Sequence, residues 1–445
     1  MIAWWLQTGL ALAGPLDLQA SVHELPNGLR VVLAEDHRTD RVALHITFGV
    51  GARDEADGEH GCAHLFEHLM FEGSANVGNN QFDTLLTAAG GENNAFTSED
   101  ETAYHMAFPA GALERALFLE SDRVGFLDAG LLADSLTNQK GVVLQERNQG
   151  YAQPNGRDWD AISRLVWPKH HPYHTPVIGT VSDVEGFTLE AVRDFWQRHY
   201  RTRNAVLAVV GNFEEAEALA AITHWFSDVP DRGAAAPRAG QYQGDHPANH
   251  GVLADPTQAR TVYLAWPTVS MHHADMAALD VASRVLSGGQ GTRLDDALVY
   301  ARRQADDGGA TTWNGEIDGL FLVYASAIRT PLARLVKTSD RAIAELLATP
   351  PSDTELARAK RSLVAALEDG LVDPLGRAQA LASCLSRRGR TNCAATDAAA
   401  IEAVTADDVV RVVRTYLSAE RRSTLSVVPE GDRGALRGAS PVELP

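Results

Sequence analysis

The amino-acid sequence is poor in positive charge and in long apolar runs. It has 39 Lys and Arg residues against 58 Asp and Glu residues, which gives a formal net charge of −19 at pH 7. Binding of nucleic-acid phosphates requires clustered positive charge, so we expect no nucleic-acid partner. No apolar run reaches the roughly 20 residues that a transmembrane helix needs. A polytopic membrane protein is therefore excluded, and we expect no membrane span in the mature chain.

The chain does contain enough apolar sequence for large folded cores. Its 445 residues are 45% hydrophobic, and this length predicts two to three domains. Two successive stretches each mix strand-like runs with helical stretches, so we expect an α+β fold of two similar halves, residues 21–230 and 246–445. In each half an antiparallel-rich sheet is expected under a cover of helices. Residues 231–245 are rich in Ala, Gly, Pro and Arg and predict a linker. The glycine pair at 308–309 is interpreted as a turn.

The amino terminus and the cysteines bear on location. The first charged residue is Asp17, and the apolar segment before it resembles a short secretory signal that lacks a basic residue. Residues 1–20 are thus a candidate signal peptide, with the mature chain starting near Gly14. The alternative is an apolar arm packed on the domain. Cys384 and Cys393 close a short loop that can hold a disulfide, with two free thiols as the alternative. Both features favour a periplasmic or secreted protein, and the other location considered is the cytoplasm.

A histidine pair in the first half points to metal chemistry. All 16 histidines lie at or before His273, so any histidine chemistry belongs to the first half or its border. On a helix, His64 and His68 share one face and can hold a single Zn²⁺. Glu67 lies at the edge of that face, where it can reach a metal-bound water without being a ligand. This is the H-x-x-E-H arrangement of one class of zinc peptidases.

A catalytic zinc needs a third protein ligand and an open position. Glu146, on a helix predicted over residues 131–149, is the candidate. Gln139 lies two turns earlier on the same face and could accept a hydrogen bond from a ligand imidazole. His60 precedes the helix and is a weaker candidate ligand. The alternative for the whole motif is a chance match of surface or core histidines.

With these residues in place, the chain resembles the pitrilysin family of zinc peptidases, which includes insulin-degrading enzyme and the mitochondrial processing peptidase. The likeness covers about residues 30–430. It rests on the motif and on eight further segments: 27–32, 49–55, 90–97, 171–173, 178–180, 204–206, 286–289 and 292–294. The resemblance implies one zinc ion held by His64, His68 and Glu146, with Glu67 as general base. It makes the first half the catalytic zinc-binding domain and the second half a similar non-catalytic one. It also implies that an extended peptide pairs with an edge strand through Asn93, Asn94, Ala95 and Thr97.

The sequence departs from the family in two places. Gln139 stands where the family usually has a Glu. Self-contained members carry a substrate-clamping Arg, and a Tyr seven residues later, where this chain has Val299 and Asp306. A second family subunit that supplies the Arg and Tyr is therefore expected as a partner in a heterodimer. The alternative is that neighbouring residues of this chain act as the clamp: Tyr300, Arg302 or Arg303.

Three functions are consistent with these features. The first is a zinc-dependent endopeptidase that cleaves extended peptides or unfolded segments inside a chamber. The second is a non-catalytic core or scaffold subunit of a family assembly. The third is a peptide- or metal-binding module without turnover. All four motif residues are present, and a scaffold subunit would be expected to have lost at least one of them, so the sequence favours the peptidase.

Overall fold

The computed structural model describes residues 16–240, 242 and 244–444. Most of the candidate signal peptide, with its cleavage point near Gly14, lies outside the described residues. Within them, no helix is both long and apolar enough to cross a membrane. Twelve strands of the described part form two sheets of six, so the expected α+β fold of two similar halves is confirmed.

The first sheet has the strand order β1-β2-β6-β3-β5-β4. Only β2 and β6 pair in parallel, and every other pair is antiparallel. β6 is central and covered on both faces, which is why its sequence is continuously apolar. β4 forms one edge of the sheet. The strands are β1 (Ser21–Glu24), β2 (Arg30–Glu35), β3 (Arg41–Phe48), β4 (Glu92–Thr97), β5 (Thr102–Pro109) and β6 (Ala205–Gly211).

The second sheet has the corresponding order β12-β7-β11-β8-β10-β9, but both β11 and β12 pair with β7 in parallel. The interpretation of Gly308 and Gly309 as a turn was wrong, because both lie in the edge strand β9. A Cβ atom on Gly308 would come within 3.1 Å of Leu298, and one on Gly309 within 3.0 Å of the Tyr324 ring. Neighbouring side chains approach the strand closely at both positions, which favours glycine there. The strands are β7 (His250–Asp255), β8 (Arg260–Pro267), β9 (Asp307–Asn314), β10 (Gly319–Ala327), β11 (Ser423–Pro429) and β12 (Ser440–Pro441).

Helices cover both sheets. Those before residue 231 are α1 (Cys62–Leu69), α2 (Gln81–Ala88), α3 (Leu113–Phe126), α4 (Ala133–Ala152), α5 (Asp158–Val166), α6 (Val181–Gly186), α7 (Leu189–His199) and α8 (Glu215–Phe226). Those after it are α9 (Met276–Leu286), α10 (Arg293–Asp295), α11 (Leu332–Ala348), α12 (Asp353–Asp369), α13 (Pro374–Arg388), α14 (Cys393–Ala403) and α15 (Ala406–Tyr416). A π-helical turn, Asp296–Tyr300, continues α10.

Each half packs one of its helices against the sheet of the other half. Helix α13 of the second half packs on the outer face of the first sheet, where Leu381 and Leu385 contact a surface of small and β-branched residues from β2, β3 and β6. In return, Ala161, Ile162 and Val166 of α5 pack on the second sheet. Each sheet therefore has one face closed by the other half. The domain boundaries at 231–245 stay a prediction.

Ion pairs and a disulfide fasten helix α13. Arg387 near its end pairs with Glu101 of the first half at 2.6 Å. Cys384 and Cys393 form a disulfide that joins α13 to α14, which confirms the expected bridge. Cys62 is a buried free thiol.

Candidate metal centre and active site

The helix α1 that carries the motif is held rigidly at its amino end. The buried carboxylate of Glu55 accepts hydrogen bonds from the backbone N–H groups of Gly61 and Ala63 at 2.9 and 2.8 Å. Gly61 has φ of 96°, and a Cβ atom there would lie 2.8 Å from the carbonyl oxygen of Ile178. Both its conformation and its surroundings therefore require glycine.

The apolar side of α1 fixes the orientation of its histidines. Leu65, Phe66 and Leu69 are fully buried in the core of the first half. The hydroxyl group of Tyr104, on β5, also donates to the carbonyl oxygen of Phe66 at 3.0 Å. His64 and His68 consequently project from the opposite side of the helix, as the spacing predicted.

The structure brings together the three residues that the sequence analysis assigned to the metal. One potential ligand atom from each of His64, His68 and Glu146 lies within 4.8 Å of the other two. The Glu146 Oε2 atom is 3.7 Å from His64 Nε2 and 3.4 Å from His68 Nε2. Glu146 reaches this position from the middle of α4, which packs against α1.

The electrostatics of this group suit a metal ion. Burial, together with the neighbouring His68, lowers the pKa of His64 to about 4. The imidazole is thus neutral at pH 7, and neutral imidazole is the form that binds metal. Two imidazole nitrogens and one carboxylate form a donor set that zinc accepts, with room for a fourth ligand. The residues present therefore fit Zn²⁺.

Glu67 lies beside this group on the same helix. Its Oε2 atom accepts a hydrogen bond from the Thr97 hydroxyl group at 2.7 Å. Burial raises the pKa of the Glu67 carboxyl group, and the bond from Thr97 opposes that rise. A carboxylate with a raised pKa is a better proton acceptor near neutral pH than an exposed one.

Gln139 does not make the contact that was expected of it. Its amide nitrogen donates to the buried carboxylate of Glu72. Its Oε1 atom and the Nδ1 atom of His64 are both buried, and neither has a hydrogen-bond partner in the described part of the chain. Gln139 thus holds Glu72, and its bond to a ligand imidazole stays a prediction.

The proposed peptide-binding residues lie on the free edge of the first sheet. The side chain of Asn93 donates to Asp83 on α2 at 2.8 Å, which ties β4 to that helix. The Asn94 Oδ1 atom accepts the backbone N–H of Ala95 at 2.9 Å. Asn94 is exposed, whereas Asn93, Ala95 and Thr97 are half-buried.

The two positions where the family clamp was expected hold Val299 and Asp306, and neither supplies the hydrogen-bond donors of an Arg or a Tyr. Val299 packs against the core of the second half from the π-helical turn. The Asp306 carboxylate accepts the backbone N–H of Ile328 at 2.8 Å. Tyr300, Arg302 and Arg303 are exposed. Within the described residues, no hydrogen bond or ion pair joins any of these five side chains to His64, His68 or Glu146.

Sequence reasoning missed the residues that support α1. Glu55 ends a segment that resembles the family, and the sequence does not indicate that its carboxylate caps α1. Tyr104 was not singled out, although its hydroxyl group donates to the main chain of α1. Thr97 was assigned to peptide binding alone, although its side chain donates to Glu67. All three residues lie within about 40 positions of the motif in the sequence. Their spacing from the motif does not indicate which of them supports α1 or Glu67.

Two family models match the chain. The model described as insulinase (peptidase family M16) matches residues 30–177, which include all four motif residues. The model described as the peptidase M16 inactive domain matches residues 186–363. The chain belongs to the M16 peptidase family. The second match lies mainly in the half that contains none of the motif residues, in agreement with a site confined to the first half.

Curated relatives and solved structures agree with this assignment. The chain is 28% identical over 306 residues to zinc protease PqqE of Helicobacter pylori, which covers 68% of each chain. It is 27% identical over 427 residues to an uncharacterized zinc protease of Streptomyces coelicolor, with 93% of this chain and 90% of that one covered. These names place the chain in a family of peptidase-type hydrolases.

The solved structures show the fold. A protease from Helicobacter pylori matches with a TM-score of 0.84 at 24% identity over 92% of this chain and 99% of that chain. The periplasmic protease PqqL from Escherichia coli matches with a TM-score of 0.81 at 20% identity. That match covers 96% of this chain but only 49% of the PqqL chain.

Proposed function

We propose that this protein is a zinc-dependent endopeptidase that cleaves extended peptides or unfolded segments. The observation that carries the proposal is the convergence of His64, His68 and Glu146 within 4.8 Å, next to a Glu67 carboxylate held by Thr97. The names of the relatives, which are zinc proteases, support zinc as the metal. The intact motif disfavours a scaffold subunit that only shares the fold.

The residues of the chain divide the chemistry between them. His64, His68 and Glu146 hold one Zn²⁺, which supplies a Lewis acid for the scissile carbonyl group and promotes ionisation of the attacking water. Glu67 takes the proton of that water and then passes it to the leaving amine. Burial raises the pKa of Glu67, which makes its carboxylate a better proton acceptor than an exposed one.

The edge strand β4 provides a place for the substrate. An extended peptide can add to a free sheet edge through main-chain hydrogen bonds, which position a scissile bond without demanding one sequence. β4 leads directly to Thr97 and thus to Glu67. Asn93, Asn94, Ala95 and Thr97 accordingly belong to the peptide-binding strand.

A second family subunit is part of the proposal. Val299 and Asp306 do not provide the clamp that a self-contained enzyme needs, because Val lacks a polar group and Asp would repel a developing oxyanion. The fold of this chain corresponds to 49% of the PqqL chain, which is consistent with a second subunit forming the other half of a chamber. We further propose a periplasmic location, supported by the Cys384–Cys393 disulfide and by the location in the name of PqqL.

The experiment combines metal analysis with peptide hydrolysis. We expect about one zinc per chain in wild type and a large loss of zinc in His64→Ala. His224→Ala, on an exposed face of α8, is the matched control and should keep its zinc. Equal zinc in wild type and His64→Ala would exclude the assigned ligands.

Hydrolysis is measured on an internally quenched peptide with this chain alone and with the second subunit. Glu67→Gln should keep zinc but lose activity by several orders of magnitude. Glu190→Gln, at an exposed position of α7, is the matched control. Zinc-loaded protein with its partner but without any hydrolysis would favour the scaffold function. Full activity of this chain alone would remove the need for the partner.

A further inference from the structure

Thr97 has two different contacts at the point where the sheet edge meets the zinc helix. It is the last residue of β4, and its hydroxyl group donates to Glu67 Oε2 at 2.7 Å across 30 positions of sequence. This hydrogen bond is half-buried, so it competes only weakly with water. One oxygen of the Glu67 carboxylate is therefore held by Thr97, which is also one of the proposed peptide-binding residues.

The main chain of Thr97 faces away from the sheet. The backbone N–H of Ser98 donates to the carbonyl oxygen of Glu101 at 2.8 Å, which closes the turn between β4 and β5. In an antiparallel pair the direction of the main-chain groups alternates from one residue to the next. The N–H and C=O groups of Thr97, Ala95 and Asn93 consequently point outward.

An independent contact supports this direction. The N–H of Ala95 donates to the side chain of Asn94 at 2.9 Å and thus not to β5. Ala95 and Thr97 are two residues apart, so their main-chain groups face the same way. Thr97 therefore turns its main chain to the open edge, where its backbone N–H and its hydroxyl group both contribute hydrogen bonds to Glu67 and its carbonyl oxygen faces the side from which a peptide would pair.

We propose that Thr97 is a positioning residue. It orients the Glu67 carboxylate, the general base, and fixes the position of the bound peptide relative to that carboxylate. This inference rests on the proposed function. The hydroxyl group holds Oε2 of Glu67, which leaves Oε1 to take the proton of the attacking water. Pairing of a peptide with the main chain of Thr97 then places the scissile bond at a fixed distance from the same carboxylate.

Two substitutions separate the hydroxyl group from the rest of the side chain. Thr97→Val keeps the branched shape but has no donor, whereas Thr97→Ser keeps the donor and loses the methyl group. Neither changes the backbone groups that face the peptide. Thr311→Val is the matched control, because Thr311 is an exposed threonine on β9, the corresponding edge strand of the second half.

The test measures kcat and KM on an internally quenched peptide, with zinc content determined for each variant. A lost hydrogen bond to a charged group predicts a kcat about 10- to 100-fold lower for Thr97→Val, with KM changed by less than about threefold. Thr97→Ser should restore kcat to within about threefold of wild type, and Thr311→Val should match wild type. An unchanged kcat for Thr97→Val overturns the proposal. A raised KM with unchanged kcat also overturns it, because Thr97 would then be only a peptide contact.

A second measurement does not depend on activity. Unfolding of metal-free protein is measured for wild type, Thr97→Val, Glu67→Ala and the double variant. A hydrogen bond between the two side chains predicts non-additive effects, with unfolding constants that depart about tenfold from the product of the single changes. Additive effects overturn the proposal. If wild type binds zinc but hydrolyses no peptide, the proposed function fails, and this cycle still decides whether Thr97 holds Glu67.

Discussion

Substitution of one leucine of α13, a helix of the second half, should destabilise the first half of the molecule. Leu381 is 0% exposed and packs on the first sheet, although α13 belongs to the second half. Leu381→Ala removes buried methyl groups and leaves a cavity. The residues around it include Ala43, Ala208 and Ala382, which have no longer side chains to fill that space. We therefore expect a loss of about 3–5 kcal/mol in the free energy of unfolding, the upper part of the range for such changes.

The free energy is measured by urea titration followed by far-UV circular dichroism. Hydrogen exchange with mass spectrometry then locates the effect, and we expect faster exchange in β6 as well as in α13. Leu375→Ala is the matched control on the same helix, because Leu375 is only partly buried against the same cluster. It should cost about 1–2 kcal/mol. A loss below about 1 kcal/mol for Leu381→Ala, or faster exchange confined to the second half, would refute the role of α13 as a shared element.

Three further perturbations probe other parts of the structure. Burial raises the pKa of Asp158 to about 6 from 3.8, so the folded state binds this proton more tightly and stability should fall by about 3 kcal/mol as pH rises from about 3 to about 7. Asp158→Asn should abolish that part of the pH dependence in urea titrations, and an unchanged profile would contradict the assignment. Reduction of the Cys384–Cys393 disulfide, which closes a loop with a sequence separation of 9, should cost about 2–3 kcal/mol, with Cys384→Ser/Cys393→Ser as the comparison. Chelation of zinc should lower the melting temperature of wild type but not of His64→Ala, since a ligand at 100 times its Kd stabilises by about 2.7 kcal/mol. Equal shifts in both proteins would speak against His64 as a ligand.

The sequence predicted the local features well and the long-range ones poorly. The spacing of His64 and His68 was enough to place both on one face of a helix. Gly308 and Gly309 misled, because their role is set by the Leu298 and Tyr324 side chains that cross β9. Contacts with side chains from distant parts of the chain are not visible in the local sequence pattern.

Two contacts between distant segments could not be predicted at all. The bond between Thr97 and Glu67 depends on how β4 packs against α1, which no spacing in either segment reveals. Similarly, α5 and α13 have apolar faces like those of any surface helix. Nothing in those faces indicates that each helix packs on the sheet of the other half.

The contact between Asn94 and the backbone of Ala95 has a consequence for the solubility of the free protein. An edge strand that accepts any peptide main chain also accepts the edge of a second copy, and unprotected edges of this kind promote aggregation. Asn94 occupies the outward N–H of Ala95 with its own side chain. A rotation about the Asn94 side-chain bonds frees that N–H for an incoming peptide. A second sheet edge would have to displace the Asn94 amide and align several residues at the same time, which is harder. If β4 binds peptides as proposed, we expect this contact to hinder the pairing of β4 with another sheet edge more than its pairing with a flexible peptide.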